Sequence, residues 1–305
     1  MRVDKTLAEI LPEYSRASIQ KWLKLGLVSA NGKNLKASEK IRGITCLNLE
    51  IPPVEPAEWI AQETSFSVIF ADDDLLVIDK PAGLVVHPGA GNPDHTLLNG
   101  LLYLDDSLRN LPRAGIVHRL DKDTSGLMVV ARSERARQHL IEQLKNRTVS
   151  RRYLAIVNGV PVTGETINQP IGRHAQDRLR MAVTSRGKEA ITHTRVEDKY
   201  RTHALLEAAL ETGRTHQIRV HLSWRGFSLV GDAVYGSRVK LPPSASTQLI
   251  TTLQEFSRQA LHAKKLELIH PVNGESMSWE SSLPEDMQNL INFLVADQRL
   301  GTSQP

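Results

Sequence analysis

One cysteine, Cys46, stands in a chain of 305 residues. That excludes an internal disulfide and any zinc site built on several thiolates. No apolar run reaches the ~18 residues a membrane-spanning helix needs. The opening MRVDKTLAEILPEYSR alternates charged and apolar residues, so it lacks the continuous apolar core of a secretory leader. Nucleotide-binding loops are missing too. HPGAGNPD supplies Gly89 and Gly91 but has Asp94 where the third glycine of a dinucleotide fingerprint belongs, and neither G-x-x-x-x-G-K-[ST] nor G-x-S-x-G occurs. ETGRTHQIR offers Gly213 without a partner glycine or lysine. Together these absences point to a reducing cytoplasm and away from nucleotide hydrolysis.

The chain is 40% hydrophobic and 24% charged, enough for a sizeable core, with a formal net charge of +4. The placing of the positive charge says more than its sum. Residues 132–152 hold Arg132, Arg135, Arg137, Lys145, Arg147, Arg151 and Arg152 against Glu134 and Glu142. A second basic stretch spans 173–201. One such cluster reads as a solvated face; two of them, on either side of one candidate site, point to a polyanion, RNA or DNA.

Residues 15–26, SRASIQKWLKLG, read as a short helix capped by Ser15 and stopped by Gly26. Ile19, Trp22 and Leu23 face inward, and Arg16, Gln20 and Lys24 outward. Asn31-Gly32 signals a hairpin. The proline-bearing stretch 51–66 separates this module from the rest, giving a small domain over 1–51, a linker over 52–65, a large domain over 66–298 and a tail over 299–305. Strands are expected at 66–70, 75–79 and 149–157, and helices at 94–104 (capped by Asp94), after Ser133 and over PEDMQNLINFLVAD. The order lacks steady βαβ alternation. The expected fold is α+β: a mixed, mainly antiparallel sheet flanked by helices with a central cleft, plus the small N-terminal α/β domain.

The stretch GIVHRLDKDTSGLMVVAR, 115–132, crowds His118, Arg119, Asp121, Lys122 and Asp123 between two apolar flanks and reads as strand, loop, strand. A calcium loop fails on spacing, because position twelve counted from Asp121 is Arg132, a cation. His216 and His221, five apart, cannot share a zinc on a strand or a helix. His118 and His221 are the better candidates for supporting a site by hydrogen bonds. A solvated turn and a functional loop both remain. Leu120, amid the charges, either packs beneath the loop or touches a ligand.

The same stretch resembles the HRLD signature of the RluA-type pseudouridine synthases, with Asp121 as its aspartate. DDDLLVIDKPAGLVVHPG (72–89), RRYLAIV (151–157), ETGRTHQIRVHL (211–222) and LVGDAVYG (229–236) resemble further motifs of that family. The N-terminal module resembles a small RNA-binding domain found in a ribosomal protein and in bacterial tyrosyl-tRNA synthetases, although Gly43-Ile44 stands where that pattern has Gly-Asp.

The resemblance implies an enzyme that turns uridine into pseudouridine in large-subunit ribosomal RNA, free or within a ribosomal particle. It implies no cofactor, no metal and no membrane, and a monomer. Asp121 would be the reacting carboxylate, as nucleophile or general base. Arg219 would pair with it, Tyr153 would face the uracil, and Ile218 and Leu120 would bound the pocket. Arg119 would fill the gap left by the displaced base. Arg16, Lys21, Lys24, Arg151, Arg152 and Arg214 would contact RNA. The rivals are a catalytically silent RNA-binding assembly factor and a base-releasing N-glycosidase.

Overall fold

The computed structural model describes residues 2–11, 16–40, 46–49, 59–89, 91–177, 180–236 and 238–302. The Ser15 cap, Gly43-Ile44, positions 52–58 of the expected linker and the Arg16 side chain lie outside the described residues. The chain divides into two compact units, 1–58 and 59–305.

The small unit holds α1 (Val3–Ile10), α2 (Arg16–Lys24), β1 (Val28–Ala30), β2 (Lys33–Asn34) and β3 (Asn48–Leu49). Val3 and Leu7 share one face of α1, and Ile19, Trp22 and Leu23 one face of α2. These faces close over Val28, Ala30 and Leu35. Asn31 (φ 51°) and Gly32 (φ 74°) take the left-handed pair that a two-residue hairpin requires, so β1 and β2 pair in register. Gln20, expected to face outward, instead donates to the buried carboxylate of Asp4 at 2.7 Å.

The large unit begins earlier than expected. Trp59 and Ile60 already pack on it, their carbonyls accepting from Arg109 Nη1 at 2.7 Å and Asn99 Nδ2 at 2.8 Å. There follow β4 (Ser67–Ala71), β5 (Leu75–Lys80), α3 (Leu97–Leu104), β6 (Ser125–Ala131), α4 (Glu134–Lys145), β7 (Ser150–Asn158) and β8 (Thr166–Asn168). The rest comprises β9 (Ile171–Arg173), β10 (Met181–Val183), β11 (Ile191–Lys199), β12 (His203–Leu210), α5 (Gln217–Trp224), α6 (Thr247–Glu255), β13 (Leu261–Ile269), β14 (Ser276–Glu280) and α7 (Glu285–Thr302). The last helix runs well into the expected tail.

Among the described residues, nine strands form one sheet in the order β4-β5-β6-β13-β7-β12-β11-β8, with β14 paired to β13. The β6–β13 pair is parallel and the others antiparallel, so the fold is α+β with a mixed, mainly antiparallel sheet. Strands β5 and β6 read as unbroken apolar runs because both faces are covered. Leu76, Ile78, Met128 and Val130 enter one core layer. Leu75, Val77, Leu127 and Val129 enter another, beneath Ala136 and Leu140 of α4. Each such side chain contributes about 1.5–3 kcal/mol by leaving water. Gly126 (φ 111°) permits the β6–β13 contact, since a β-carbon there would stand 2.4 Å from the Ala263 carbonyl oxygen.

Two expectations need correction. Thr96, not Asp94, precedes α3, where Asn99 Oδ1 accepts from the Thr96 amide and hydroxyl. The segment before the charged loop is not a strand: Ile116 makes a single bridge to Val130 after two 3-10 turns. Of the two placements weighed for His216 and His221, the helical one holds: they lie at and within helix α5.

Candidate active site

The loop 117–124 is held from below by a lysine. Lys80, fully buried at the end of β5, directs its three ammonium hydrogens to the carbonyls of Pro81 (2.7 Å), Leu84 (3.0 Å) and Lys122 (2.9 Å). Lys122 lies next to Asp121, so this one side chain fixes two loops relative to each other. The Thr124 amide closes a turn on the Asp121 carbonyl. His118 Nε2 accepts from the Val129 amide at 3.0 Å, standing in for a strand partner. Burial, helped by the charge of Arg151, lowers its pKa to about 3, so the ring stays neutral and able to accept. Leu120 points down into the core.

Asp121 is thus presented to Arg219, which projects from α5. Arg219 Nη1 donates to Asp121 Oδ2 at 2.9 Å. Its Nε and Nη2 bind Asp232 at 2.7 and 2.9 Å. Burial works against the Arg219 charge, yet the two carboxylates keep its pKa above the ordinary value. Burial likewise pushes Asp232 up, but Arg219 and the amides of Tyr235 and Val234 bring it below the usual carboxylate range. The result is a fork whose one free arm orients Asp121.

His216 adds a second contact. It takes a left-handed conformation (φ 57°) at the start of α5, with Nε2 3.9 Å from Asp121 Oδ1. Its Nδ1 lies 2.7 Å from the Tyr235 hydroxyl, which already accepts from the Met181 amide. Where the phenolic hydrogen is donated to Nδ1, the hydrogen of the neutral ring sits on Nε2, facing Asp121. Burial holds the His216 pKa below its ordinary value, which favours this neutral form.

Asp121, His118, His216 and Arg219 line one cleft of about 400 Å³, a volume usual for small-molecule sites. Asp121, Tyr153, Arg219, Arg119, Leu120, Ile218, Arg151 and Arg214 all border it. Tyr153 is buried, and burial raises its phenol pKa. Arg119 stands exposed. Arg214 Nε is engaged by the Glu189 carbonyl at 2.9 Å. Arg152 is not part of the cleft: one residue along β7 from Arg151, it faces the other way and binds Glu207 at 3.3 Å. Lys21 and Lys24 are exposed on α2 of the small unit.

His221 is not at the cleft either. It is fully buried between Thr192 Oγ1 and the Gln169 carbonyl, both at 2.9 Å. Reading the sequence missed His216, Asp232, Tyr235 and Lys80. The LVGDAVYG motif carried Asp232 and Tyr235 in plain view, but nothing in its spacing tied them to Arg219 or His216. Among the described residues no group of three His, Cys, Asp or Glu side chains is placed to hold a metal.

A single carboxylate oriented by arginine, beside a buried tyrosine in a cation-lined cleft, defines a site for chemistry on a nucleotide of an anionic polymer. The sequence profile of the RNA pseudouridylate synthase family matches residues 74–224. The chain is 51% identical to a ribosomal large subunit pseudouridine synthase D of Pseudomonas aeruginosa, over 97% of this chain and 93% of that protein. It is 48% identical to the protein of that name from Xanthomonas campestris pv. campestris, over 97% and 89%. Among solved structures, human RNA Pseudouridylate Synthase Domain Containing 4 superimposes with a TM-score of 0.59 and 27% identity, covering 75% of this chain and 93% of that one. The chain belongs to the RNA pseudouridylate synthase family and is an RNA pseudouridine synthase.

Proposed function

We propose that this chain isomerises uridines to pseudouridine in large-subunit ribosomal RNA, with Asp121 as the reacting carboxylate. The observation that carries the reading is the Asp121–Arg219 pair at the cleft, beside Tyr153. In the reaction the ribose bond to ring nitrogen 1 breaks and the base turns. A bond then forms to ring carbon 5, and the hydrogen on that carbon leaves as a proton while nitrogen 1 gains one. Asp121 attacks the sugar or base, or takes a ribose hydrogen; either route needs an ionised, oriented carboxylate, which Arg219 supports. Tyr153 faces the uracil and is kept protonated by burial. Ile218 and Leu120 supply apolar wall and floor. Arg119, exposed beside Asp121, fills the gap the base leaves in the RNA, since chemistry on a base requires exposing it.

The relatives' names support large-subunit rRNA as the substrate, free or within a particle. They speak against a catalytically silent factor. The reading takes the chain to act as a monomer, and an rRNA substrate supports a cytoplasmic place of work. The 1–58 unit, with Lys21 and Lys24 exposed, is read as a further RNA contact.

The test is release of tritium from [5-³H]uridine-labelled large-subunit rRNA. The parent protein should release it, and Asp121→Asn should be slower by at least ~10²–10⁴-fold while still binding RNA. RNA mass should be unchanged; loss of the base mass would reveal a glycosidase instead. Comparable release by the variant would remove Asp121 from the mechanism.

A further inference from the structure

Arg151 is a cation without a counter-ion. It enters the cleft from β7, two residues before Tyr153 and so on the same strand face. Only 8% of its surface is exposed. Among the described residues no carboxylate pairs with it, no hydrogen bond leaves its side chain, and its Nε is buried with no acceptor. Two other enclosed arginines of this unit are neutralised: Arg219 by Asp121 and Asp232, and Arg258 by Asp286.

The surroundings accommodate this charge without compensating it. Gly213 lies against the guanidinium, and a β-carbon there would stand 2.9 Å from Arg151 Nη1. The φ of Gly213 is not in the left-handed region, so what the missing side chain provides is room. His118, beside it, is neutral. An unpaired charge removed from water is costly and is retained only where something supplies the opposite charge. The described residues of the cleft supply none to Arg151.

The substrate does. Uracil and ribose are neutral, so the charges that a target uridine carries into the cleft are its flanking phosphodiesters. We infer that Arg151 receives one of these two phosphodiesters inside the cleft and so sets the depth at which the nucleotide meets Asp121. This deepens the reading of the chain as an rRNA uridine isomerase and rests on it. The interaction differs from a surface phosphate contact because most of the side chain, its Nε included, is already withdrawn from water. Its planar fork also suits two phosphate oxygens at once, which a lysine does not match.

The experiment first maps a uridine that the parent modifies in large-subunit rRNA. An RNA fragment is then assembled with [5-³H]uridine at that position. It carries native phosphates, or a neutral methylphosphonate on the 5′ side or on the 3′ side. With the parent, one of the two replacements should slow release by about 10- to 100-fold, the scale of removing a charge-assisted hydrogen bond. The arm that does so names the phosphate. Arg151→Met should be slowed similarly on native RNA and slow little further, within about threefold, on that same methylphosphonate.

Without RNA, Arg151→Met should melt no lower than the parent, because it removes an uncompensated buried charge. Equal, additive losses in parent and variant would overturn the proposal, as would a parent indifferent to both replacements. A variant that melts far below the parent would also overturn it, by making Arg151 part of the fold's own charge balance. No release by the parent from native RNA would count against isomerisation itself, and this inference would fall with it.

Discussion

Arg219 and Asp232 are joined twice, Nε to Oδ2 at 2.7 Å and Nη2 to Oδ1 at 2.9 Å, in a region where both residues are buried. Because two of its arms are committed there, Arg219 has one direction left for the third, toward Asp121. Asp232→Asn should therefore loosen the Asp121 carboxylate without touching RNA. A misplacement of about 1 Å costs ~10²-fold in rate, so kcat should fall by that order with RNA affinity held within about twofold. Asp232→Ala, which leaves two arms of the arginine without acceptors, should cost about 1–3 kcal/mol in urea unfolding. An Asp232→Asn protein with parental kcat would show that Asp121 does not depend on this brace.

Lys80 offers a different handle on the same loop. Lys80→Met keeps most of the apolar stem but donates to none of the three carbonyls. Losing hydrogen bonds from a charged, buried donor should cost roughly 2–4 kcal/mol. Amide hydrogen exchange should accelerate over 117–124, and less so in the strands. Protection of that loop equal to the parent's would mean Lys80 does not hold it.

Acid should destabilise the protein well above the carboxylate range. Burial lowers the folded pKa of His118 to about 3 and those of His87, His203 and His262 to about 4, from an ordinary 6.5. The unfolded chain therefore binds more protons between these values. Stability is complete above the unfolded value and is lost as pH falls below it toward the folded ones. An enclosed histidine such as His118 contributes a slope of up to about 1.4 kcal/mol per pH unit in that window. Urea midpoints at pH 7.5, 6 and 5 should fall progressively; a flat profile would contradict the assignment.

Removing residues 1–58 should leave the large unit folded, since among the described residues its core clusters draw on 59–305 alone. RNA binding should weaken and depend less on salt. For single-stranded RNA, each phosphate the protein no longer neutralises lowers the slope of log K against log salt by ~0.7. Lys21 and Lys24 together predict a change of about one to two, measurable by filter binding at several salt concentrations. An unchanged slope would mean the small unit does not meet phosphate.

Much of the architecture was legible from local pattern alone. The α2 helix, the Asn31-Gly32 hairpin, β5, the Ser133-capped α4 and β7 all announce themselves through periodicity and turn chemistry, which depend on near neighbours. Helix α5 did not, because Gln217, Arg219 and His221 are polar residues buried by tertiary partners, and the pattern hides their inward face. The same holds for the segment before the charged loop, where the His118 ring, not a strand, satisfies the Val129 amide.

The sequence by itself determined the chemistry available: one cysteine, two basic stretches, and a motif that marks Asp121 and places the chain among pseudouridine synthases. Only the tertiary structure decided which side chains meet. Asp121 and Arg219 are 98 residues apart in the chain and 2.9 Å apart in space. Tertiary packing likewise set Asp232 behind Arg219, turned His216 toward Asp121, and left Arg151 enclosed with no counter-ion among the described residues. The physical reason is range. Helix and strand patterns are set by neighbours within a few residues, whereas charge pairing and desolvation depend on distances that only the folded chain creates.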